Sequence, residues 1–285
     1  MKLKKLLAVC LTAVCGLSLL TGCGEKKEEV KGAKVIQIDL TQEEYAFGVD
    51  KDQAELLTSV NDFITEIQND GTFDKICNKY FGDGAPEAVK SATLDESKDQ
   101  LVVATNAAFE PFEYTQGEDY YGIDMEIAKL LADKLGKELV IQNMDFDAVC
   151  LSVGQHKCDI AMAGLTIKPD REEYVTFSKP YYNASQRLVV KADNTEFDAC
   201  TDAASVEALI KGKDANTKVG VQNGTTGQFY VEGDADWGFD GFPVTSVGYK
   251  NGSLAVQDMI NGNINFVIID SAPAKCITDS INKMQ

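Results

Sequence analysis

Histidine is almost absent from this chain: of 285 residues only His156, in the polar turn GQHK, carries an imidazole. With no second histidine and no close cysteine pair, the chain offers neither a zinc-ligand set nor a serine–histidine triad. Positive charge is scarce as well. Lys and Arg number 27 against 45 Asp and Glu, a net charge of −18. A field of that sign excludes nucleic acid as a partner and adds nothing to adhesion on anionic lipid. Beyond residue 22 no stretch is apolar enough to cross a bilayer. What is present is an acidic chain with 44% hydrophobic residues, long enough for one or two domains with real cores.

The first 22 residues differ in kind. Lys2, Lys4 and Lys5 precede an apolar run from Leu6, and Leu20-Thr21-Gly22 leads into Cys23. A basic start, a short apolar stretch and a small residue before the cut describe a secretory signal. The run is too short for an ordinary membrane span. Leu-Thr-Gly-Cys resembles the lipobox of bacterial lipoproteins. That resemblance implies a lipid on Cys23 and a mature chain anchored to the outer face of the cell membrane. Losing residues 1–22 removes three lysines and no acids, leaving 24 basic against 45 acidic residues, a net −21. Cys10 and Cys15 leave with that segment. Cys77, Cys150, Cys158, Cys200 and Cys276 are then an odd, scattered set, which argues against a disulfide framework. Cys77 and Cys150 fall on apolar helical stripes and read as small core residues.

Residues 23–33 read as a tether. Lys34–Leu40 alternates like a strand, and Glu44–Val49 is a second strand-like run. From Gln53 the period changes: Leu56, Leu57, Val60, Phe63, Ile64 and Ile67 form one helical face, stopped near Gly71. A shorter helix carries Phe73, Ile76, Cys77 and Tyr80 to Gly82, and residues 83–98, without an apolar period, read as a linker. Next come a strand Leu101–Thr105, the loop NAAFEPFEY, a helix from Ile123 closed by Gly136 and a strand Leu139–Gln142. A helix capped by Asp145 follows, with Phe146, Val149, Cys150 and Val153 inward. After a strand at Ser185–Lys191 the rhythm restarts. Helix Val206–Ile210, strand Val219–Val221, the turn QNGTTG, a helix Leu254–Ile260 capped by Ser253 and a strand Ile264–Ile269 end at Asp270. Alternation of this kind predicts two α/β lobes, each a mostly parallel sheet flanked by helices, with the site between them.

Chemistry concentrates in Cys158–Tyr182, CDIAMAGLTIKPDREEYVTFSKPYY. A short apolar strand ends in the small residues Ala163 and Gly164, where a ligand can approach the backbone closely. Arg171 follows in a polar loop opened by Thr166. A guanidinium beside strand-end amides suits a planar carboxylate, since paired N–H donors match two oxygens. On this stretch alone a solvated loop arginine fits as well. Asp270 reads equally as a helix cap or as an acceptor at the end of a buried strand. VGVQNGTTG lacks the lysine that a phosphate loop requires, which excludes that use.

Together the motifs VVATNAAFEPFEY, GIDMEIAKLLADKLG, MDFDAV, DIAMAGLTIKPDREEYVTFSKPYY, VGVQNGTTG and FVIIDSAPA resemble the amino-acid-binding proteins of ABC importers, family 3 of the bacterial solute-binding proteins. The resemblance covers residues 34–82 and 99–285. It implies a two-lobed periplasmic-binding-protein-like fold of type II, a monomer that takes no cofactor and no metal. Its ligand would be a free L-amino acid delivered to an importer permease. It assigns the ligand α-carboxylate to Arg171, with help from Thr166 and from the backbone N–H groups of Thr225 and Thr226. The α-ammonium falls to Asp270 and to a backbone carbonyl at Ala163 or Gly164. Phe109 and Phe146 would sandwich the aliphatic portion, although Phe146 also fits a core role. Members that bind basic amino acids carry aspartate where this chain has Asn106. With Asn106, Gln222 and Ile269 in the side-chain pocket, no second carboxylate awaits a cationic side chain, and a neutral polar, glutamine-like ligand is expected; cystine also fits. A few relatives on this fold are dehydratases, for which Glu110 and Glu113 offer an acid/base pair, but no nucleophile stands near them. An amino-acid sensor without a transporter would share every residue of the receptor.

Chain order departs from the family. There, a stretch like residues 34–82 closes the protein; here it comes first. The resemblance therefore implies a circular permutation, with the family's termini joined by residues 83–98, which span up to roughly 50 Å when extended. It implies further that residues 50–82 and 99–184 make lobe 1 and residues 34–44 and 192–285 make lobe 2. Strands 45–49 and 185–191 would then be the hinge.

Overall fold

The structure, a computed structural model, describes residues 32–284. The signal segment, Cys23 and most of the tether lie outside the described residues. The chain begins with β1 (Ala33–Val35), β2 (Glu43–Tyr45), β3 (Gly48–Asp50), α1 (Ala54–Asn69) and α2 (Thr72–Phe81). It continues through β4 (Gln100–Thr105), β5 (Ala108–Phe109), β6 (Glu113–Gln116), β7 (Asp119–Tyr121), α3 (Ile123–Leu135), β8 (Glu138–Asn143), α4 (Phe146–Gly154) and β9 (Ile160–Ala161). Then follow β10 (Val175–Phe177), β11 (Tyr182–Ala184), β12 (Gln186–Lys191), α5 (Ala203–Lys211), β13 (Lys218–Gln222) and α6 (Thr226–Glu232). Last are β14 (Thr245–Tyr249), α7 (Gly252–Ile260), β15 (Phe266–Asp270) and α8 (Ser271–Lys283). No helix among the described residues is long and apolar enough to cross a membrane.

Two five-stranded sheets form two lobes. Lobe 1 has the order β10-β3-β9-β4-β8 and lobe 2 the order β1-β12-β15-β13-β14. In each, three parallel strands are extended by two more through successive antiparallel pairings. The apolar strands β4 and β15 are buried along nearly their whole length, as central parallel strands covered on both faces must be. A separate ribbon, β2 paired with β11 from Tyr45↔Tyr182 to Glu43↔Ala184, joins the lobes. The crossing is thus at 43–45 and 182–184, not at 45–49 and 185–191. Residues 48–50 and 186–191 are sheet strands of one lobe each, because their neighbours β9 and β15 capture them.

The stripe of α1 faces the core of lobe 1. Val60, Phe63, Ile64 and Ile67 are buried together with Leu101, Val103, Ile123, Ile127 and Leu131. Lys134 of α3 lies over the Phe63 ring and pairs with Glu66, so α1 and α3 touch directly. Truncating Ile64, 1% exposed, to alanine should cost about 2–5 kcal/mol. At the other end, β1 pairs with β12 through Val35↔Val189, and Ala33 exchanges backbone hydrogen bonds with the Asn282 side chain of α8.

Several local expectations give way. Residues 83–98 are not a loose linker: Val89 is in the core of lobe 1, bridged to Tyr120, and the Ala92 N–H donates to the Leu139 carbonyl. The loop NAAFEPFEY contains β5 and half of a small sheet, β5-β6-β7. Asp145 makes no capping hydrogen bond; its carboxylate faces Lys250 at 3.1 Å. α7 is capped by Asn251 rather than Ser253, its side chain accepting from the Leu254 N–H at 3.0 Å. Cys77, Cys150, Cys158, Cys200 and Cys276 are free thiols.

Candidate functional site

The two sheets point the ends of their third parallel strands, β9 and β15, at one cleft. On the lobe 1 side the chain leaves β9 through Ala163 and Gly164, both buried. Gly164 has φ +51° and lies so close to Phe109 that a Cβ would meet Cε1 at 2.9 Å, so only glycine fits. Its N–H donates to Asp124 Oδ2 at 2.9 Å, and Asp124 Oδ1 accepts from the Tyr181 hydroxyl at 2.6 Å. Burial pushes the Asp124 carboxyl up to about 7, against those two hydrogen bonds.

Arg171 opens a 3-10 turn, Arg171–Glu173, and is 8% exposed. Nη1 donates to the Thr166 carbonyl at 2.7 Å and Nη2 reaches across the cleft to the Gly224 carbonyl at 3.0 Å. The guanidinium lies 5.2 Å from the centroid of the Phe146 ring. No carboxylate among the described residues forms an ion pair with it. Two of its five N–H donors are used, and the positive charge is left for an anion. Phe146, placed in the sequence against the ligand's aliphatic part, is positioned to flank the guanidinium.

Lobe 2 answers from β13, α6 and β15. Gln222 Nε2 donates to Asn106 Oδ1 at 3.2 Å across the cleft, while Asn106 Nδ2 donates to the Met144 carbonyl at 2.7 Å. Gln222 Oε1 is buried and has no partner. The Thr225 hydroxyl and N–H both turn back to the Gln222 carbonyl, at 2.9 and 3.4 Å. The Thr225 N–H is therefore engaged within its own turn rather than open to an anion. Thr226 Oγ1 donates to Thr166 Oγ1 at 3.3 Å, and Thr166 Oγ1 in turn donates to Glu43 Oε2 at 2.7 Å. The Thr166 hydroxyl thus spends its hydrogen on Glu43, so it has none for a ligand carboxylate.

Asp270 ends β15, 5% exposed, and accepts from the Tyr45 hydroxyl at 2.5 Å. Burial, followed by the charge of Glu43, pushes its carboxyl up to about 7; the hydrogen bonds from Tyr45 and Gln186 oppose this. It caps no helix through its side chain, although α8 begins after it. Glu43 is held by Thr41, Thr166 and Gln186. A cavity of about 1000 Å³, lined by Glu43, Thr166, Arg187 and Trp237 among others, opens beside this group.

The structure therefore gathers Asn106, Phe109, Phe146, Ala163, Gly164, Thr166, Arg171, Gln222, Thr225, Thr226 and Asp270 along facing edges of the two lobes. It adds Tyr45, Glu43 and Asp124, which hold the site residues and which the sequence alone did not single out. Glu113 is fully buried on β6 with neither carboxylate oxygen partnered. Burial, then Asp124 and Asp270, raise its carboxyl far above the usual range, which suits a neutral acid rather than half of a catalytic pair. His156 is not part of the cleft group. Its Nδ1 lies 2.7 Å from Asp50 and its Nε2 3.7 Å from Asp52. The hydrogen bond to Asp50 and the charges of both aspartates raise its pKa. The imidazole is a hydrogen-bond partner of Asp50 there.

Residues 101–275 match the family model described as bacterial extracellular solute-binding proteins, family 3. The arginine-binding extracellular protein ArtP of Bacillus subtilis (strain 168) is 33% identical over 128 residues, 44% of this chain and 46% of that protein. The chain thus spans about half the length of that relative. An arginine-bound Gly52Ala mutant of ArgBP from T. maritima aligns with TM-score 0.52 and 30% identity, covering 64% of this chain and 78% of that one. An ancestral arginine-binding protein bound to glutamine aligns with TM-score 0.51 and 31% identity, covering 64% and 73%. By the extent of the family match, this chain belongs to the bacterial extracellular solute-binding proteins of family 3.

Proposed function

We propose that this protein is a lipid-anchored extracytoplasmic receptor that closes its two lobes on a free amino acid and hands it to an ABC importer permease. One observation carries the reading: a buried guanidinium without a carboxylate partner and a buried carboxylate without a cation are brought to one cleft from opposite lobes. An α-amino acid is a zwitterion that satisfies both at once, and only when the lobes meet. Closure is then a population shift driven by contacts to both sides. As in the solute-binding family to which the chain belongs, the ligand is bound and released unchanged.

For the ligand's side chain, Asn106 and Gln222 present amide groups, and the orphaned Gln222 Oε1 calls for an N–H donor. An amide terminus such as that of glutamine supplies one without placing an unpaired cation in the cleft. Relatives named for arginine set the competing ligand, and one similar structure, an ancestral arginine-binding protein, is bound to glutamine, which supports the reading. A thermal-shift screen of the twenty amino acids plus cystine tests the reading, with the largest stabilisation expected from glutamine. No stabilisation by any amino acid would reject it. Lipidation of Cys23 is tested by mass spectrometry of the membrane-extracted protein, and a partner pull-down separates an importer receptor from a sensor.

The chain order is part of the same proposal. α1 and α2 pack in lobe 1 and β1 joins lobe 2, so a segment read before the rest of the chain completes both lobes. A circular permutation accounts for a family match that starts at residue 101. It also accounts for solved relatives that cover only 64% of this chain.

A further inference from the structure

Lys168 stands three residues before Arg171, on the same loop of lobe 1. Lysine is almost never fully buried unless paired, and this one is 3% exposed. Its partners come from both lobes. Nζ donates to Asp234 Oδ2 at 2.8 Å, lies 3.1 Å from Asp170 Oδ2, and sits 3.3 Å from the centroid of the Phe229 ring. Asp170 belongs to lobe 1, but Phe229 lies on α6 and Asp234 follows it, so two of the three partners are across the cleft. Asp234 is fixed in its own loop: Oδ1 accepts the backbone N–H groups of Asp236 and Trp237 at 3.0 and 3.3 Å. Oδ2 is left aimed at the lysine. The Lys168 hydrogen bond is the largest cause holding the Asp234 carboxyl below the usual carboxylate range.

We infer that Lys168 is a positioning residue for capture, a latch that ties α6 and the loop after it to lobe 1 and so sets how long a bound ligand is held. The inference rests on the receptor reading above. Opening the lobes would return the ammonium to water beside Asp170 and strip it of Asp234 and the ring. Closing makes both contacts at once, in a site where a cation–ring contact and an ion pair between a buried lysine and a partly buried aspartate reinforce each other. The Lys250–Asp145 pair spans the same gap, but its side chains are 71% and 63% exposed, where water and salt weaken it. The Lys168 side chain makes none of the site contacts described above, which assigns it to the closed state rather than to ligand choice.

Truncating the buried member of a hydrogen-bonded interfacial charge pair acts on dissociation more than on association. The test is stopped-flow binding of L-glutamine and L-arginine to wild type, Lys168→Met, Asp234→Asn and the double variant, with small-angle scattering of each unliganded protein. In Lys168→Met, dissociation is expected to speed by about 30-fold while association stays within about twofold. The double variant should be no worse than Lys168→Met alone, and unliganded Lys168→Met should have a larger radius of gyration than wild type. Dissociation within twofold of wild type, additive effects in the double variant, or superimposable scattering profiles would each overturn the latch. If neither amino acid binds wild type, the receptor reading for these ligands fails, while the scattering comparison still decides whether Lys168 holds the lobes together.

Discussion

Lobe 1 and lobe 2 share one sheet plan and differ in the charge they bring to the cleft. The chain leaving β9 carries Arg171 ten residues beyond the strand end, on a loop that leads into β10, whereas β15 ends directly on Asp270. Arg171 meets carbonyls from its own loop (Thr166) and from lobe 2 (Gly224), and no carboxylate among the described residues forms an ion pair with it. Around Asp270 stand a second acid, Glu43, and hydrogen-bond donors from Tyr45 and Gln186. One edge is built for an anion and the other for a cation. Under the proposed reading, that separation would favour a zwitterion over a simple acid or amine, which would satisfy one lobe and leave the other bare.

The sharpest way to break this comparison is to delete the cation. Arg171→Ala is expected to cost roughly 3–5 kcal/mol, several hundred-fold or more in affinity, while the fold persists. Calorimetry that finds binding within threefold of wild type would remove Arg171 from the site. Asp270→Asn tests the other edge with a smaller effect, about tenfold or more for α-amino acids and little for an analogue without the α-amino group. Equal losses for both ligands would contradict an ammonium contact.

Asp270 also gives the site a pH dependence of definite sign. Its carboxyl, pushed up to about 7, must ionise to pair with the ammonium, so affinity should fall as pH drops below about 7, by up to about tenfold per unit. Stability of the unliganded protein moves the opposite way. Asp270 and Asp124 both have folded-state values raised above the ordinary carboxylate range. Each contributes stability that is fully present below about pH 4 and is lost as pH rises through about 7. Melting curves of the unliganded protein between pH 5 and 8 should show this, with a flatter profile for Asp124→Asn.

Asn106→Asp sharpens the contrast in the side-chain pocket by adding a carboxylate there. It should improve binding of lysine, arginine or histidine by a few-fold to tenfold, and calorimetry without a gain for any of them would count against that placement of Asn106. The smallest effect belongs to Lys250→Ala. Its exposed pair with Asp145 should matter by less than about threefold in affinity, and a larger loss would mean that the rim of the cleft holds more than its centre.

What could be read from the sequence was local and periodic. The α1 stripe from Val60 to Ile67 and the apolar runs of β4 and β15 follow from burial on one face or two, and the sequence shows both directly. The position of Asp270 at the end of β15 is legible for the same reason, and Arg171 is legible as a loop residue after β9. What escaped was decided by partners distant in the chain. Asp145 has the composition of a cap, but Lys250 draws its side chain away. Thr166 has a free-looking hydroxyl, yet Glu43, far earlier in the chain, accepts its hydrogen. Val89 sits in a stretch with no period, and a single buried valine leaves no periodic trace. Glu113 reads as a loop acid because nothing in its neighbours shows that the first half of β6 is buried.

The two crossing strands also divide the chain unequally in time. Lobe 1 is written in one unbroken stretch, from β3 to β10, whereas lobe 2 needs β1 from before that stretch and everything from β12 onward after it. A chain emerging from its N-terminus can therefore complete lobe 1 while lobe 2 has not yet been made. Val35 must wait for Val189, and the loop closed by that pairing is the whole of lobe 1. Collapsing that loop first shortens the distance the ends must search and lowers the entropic cost of joining them. The acid-rich cleft edge of lobe 2 is then assembled last, against a partner that already carries its arginine.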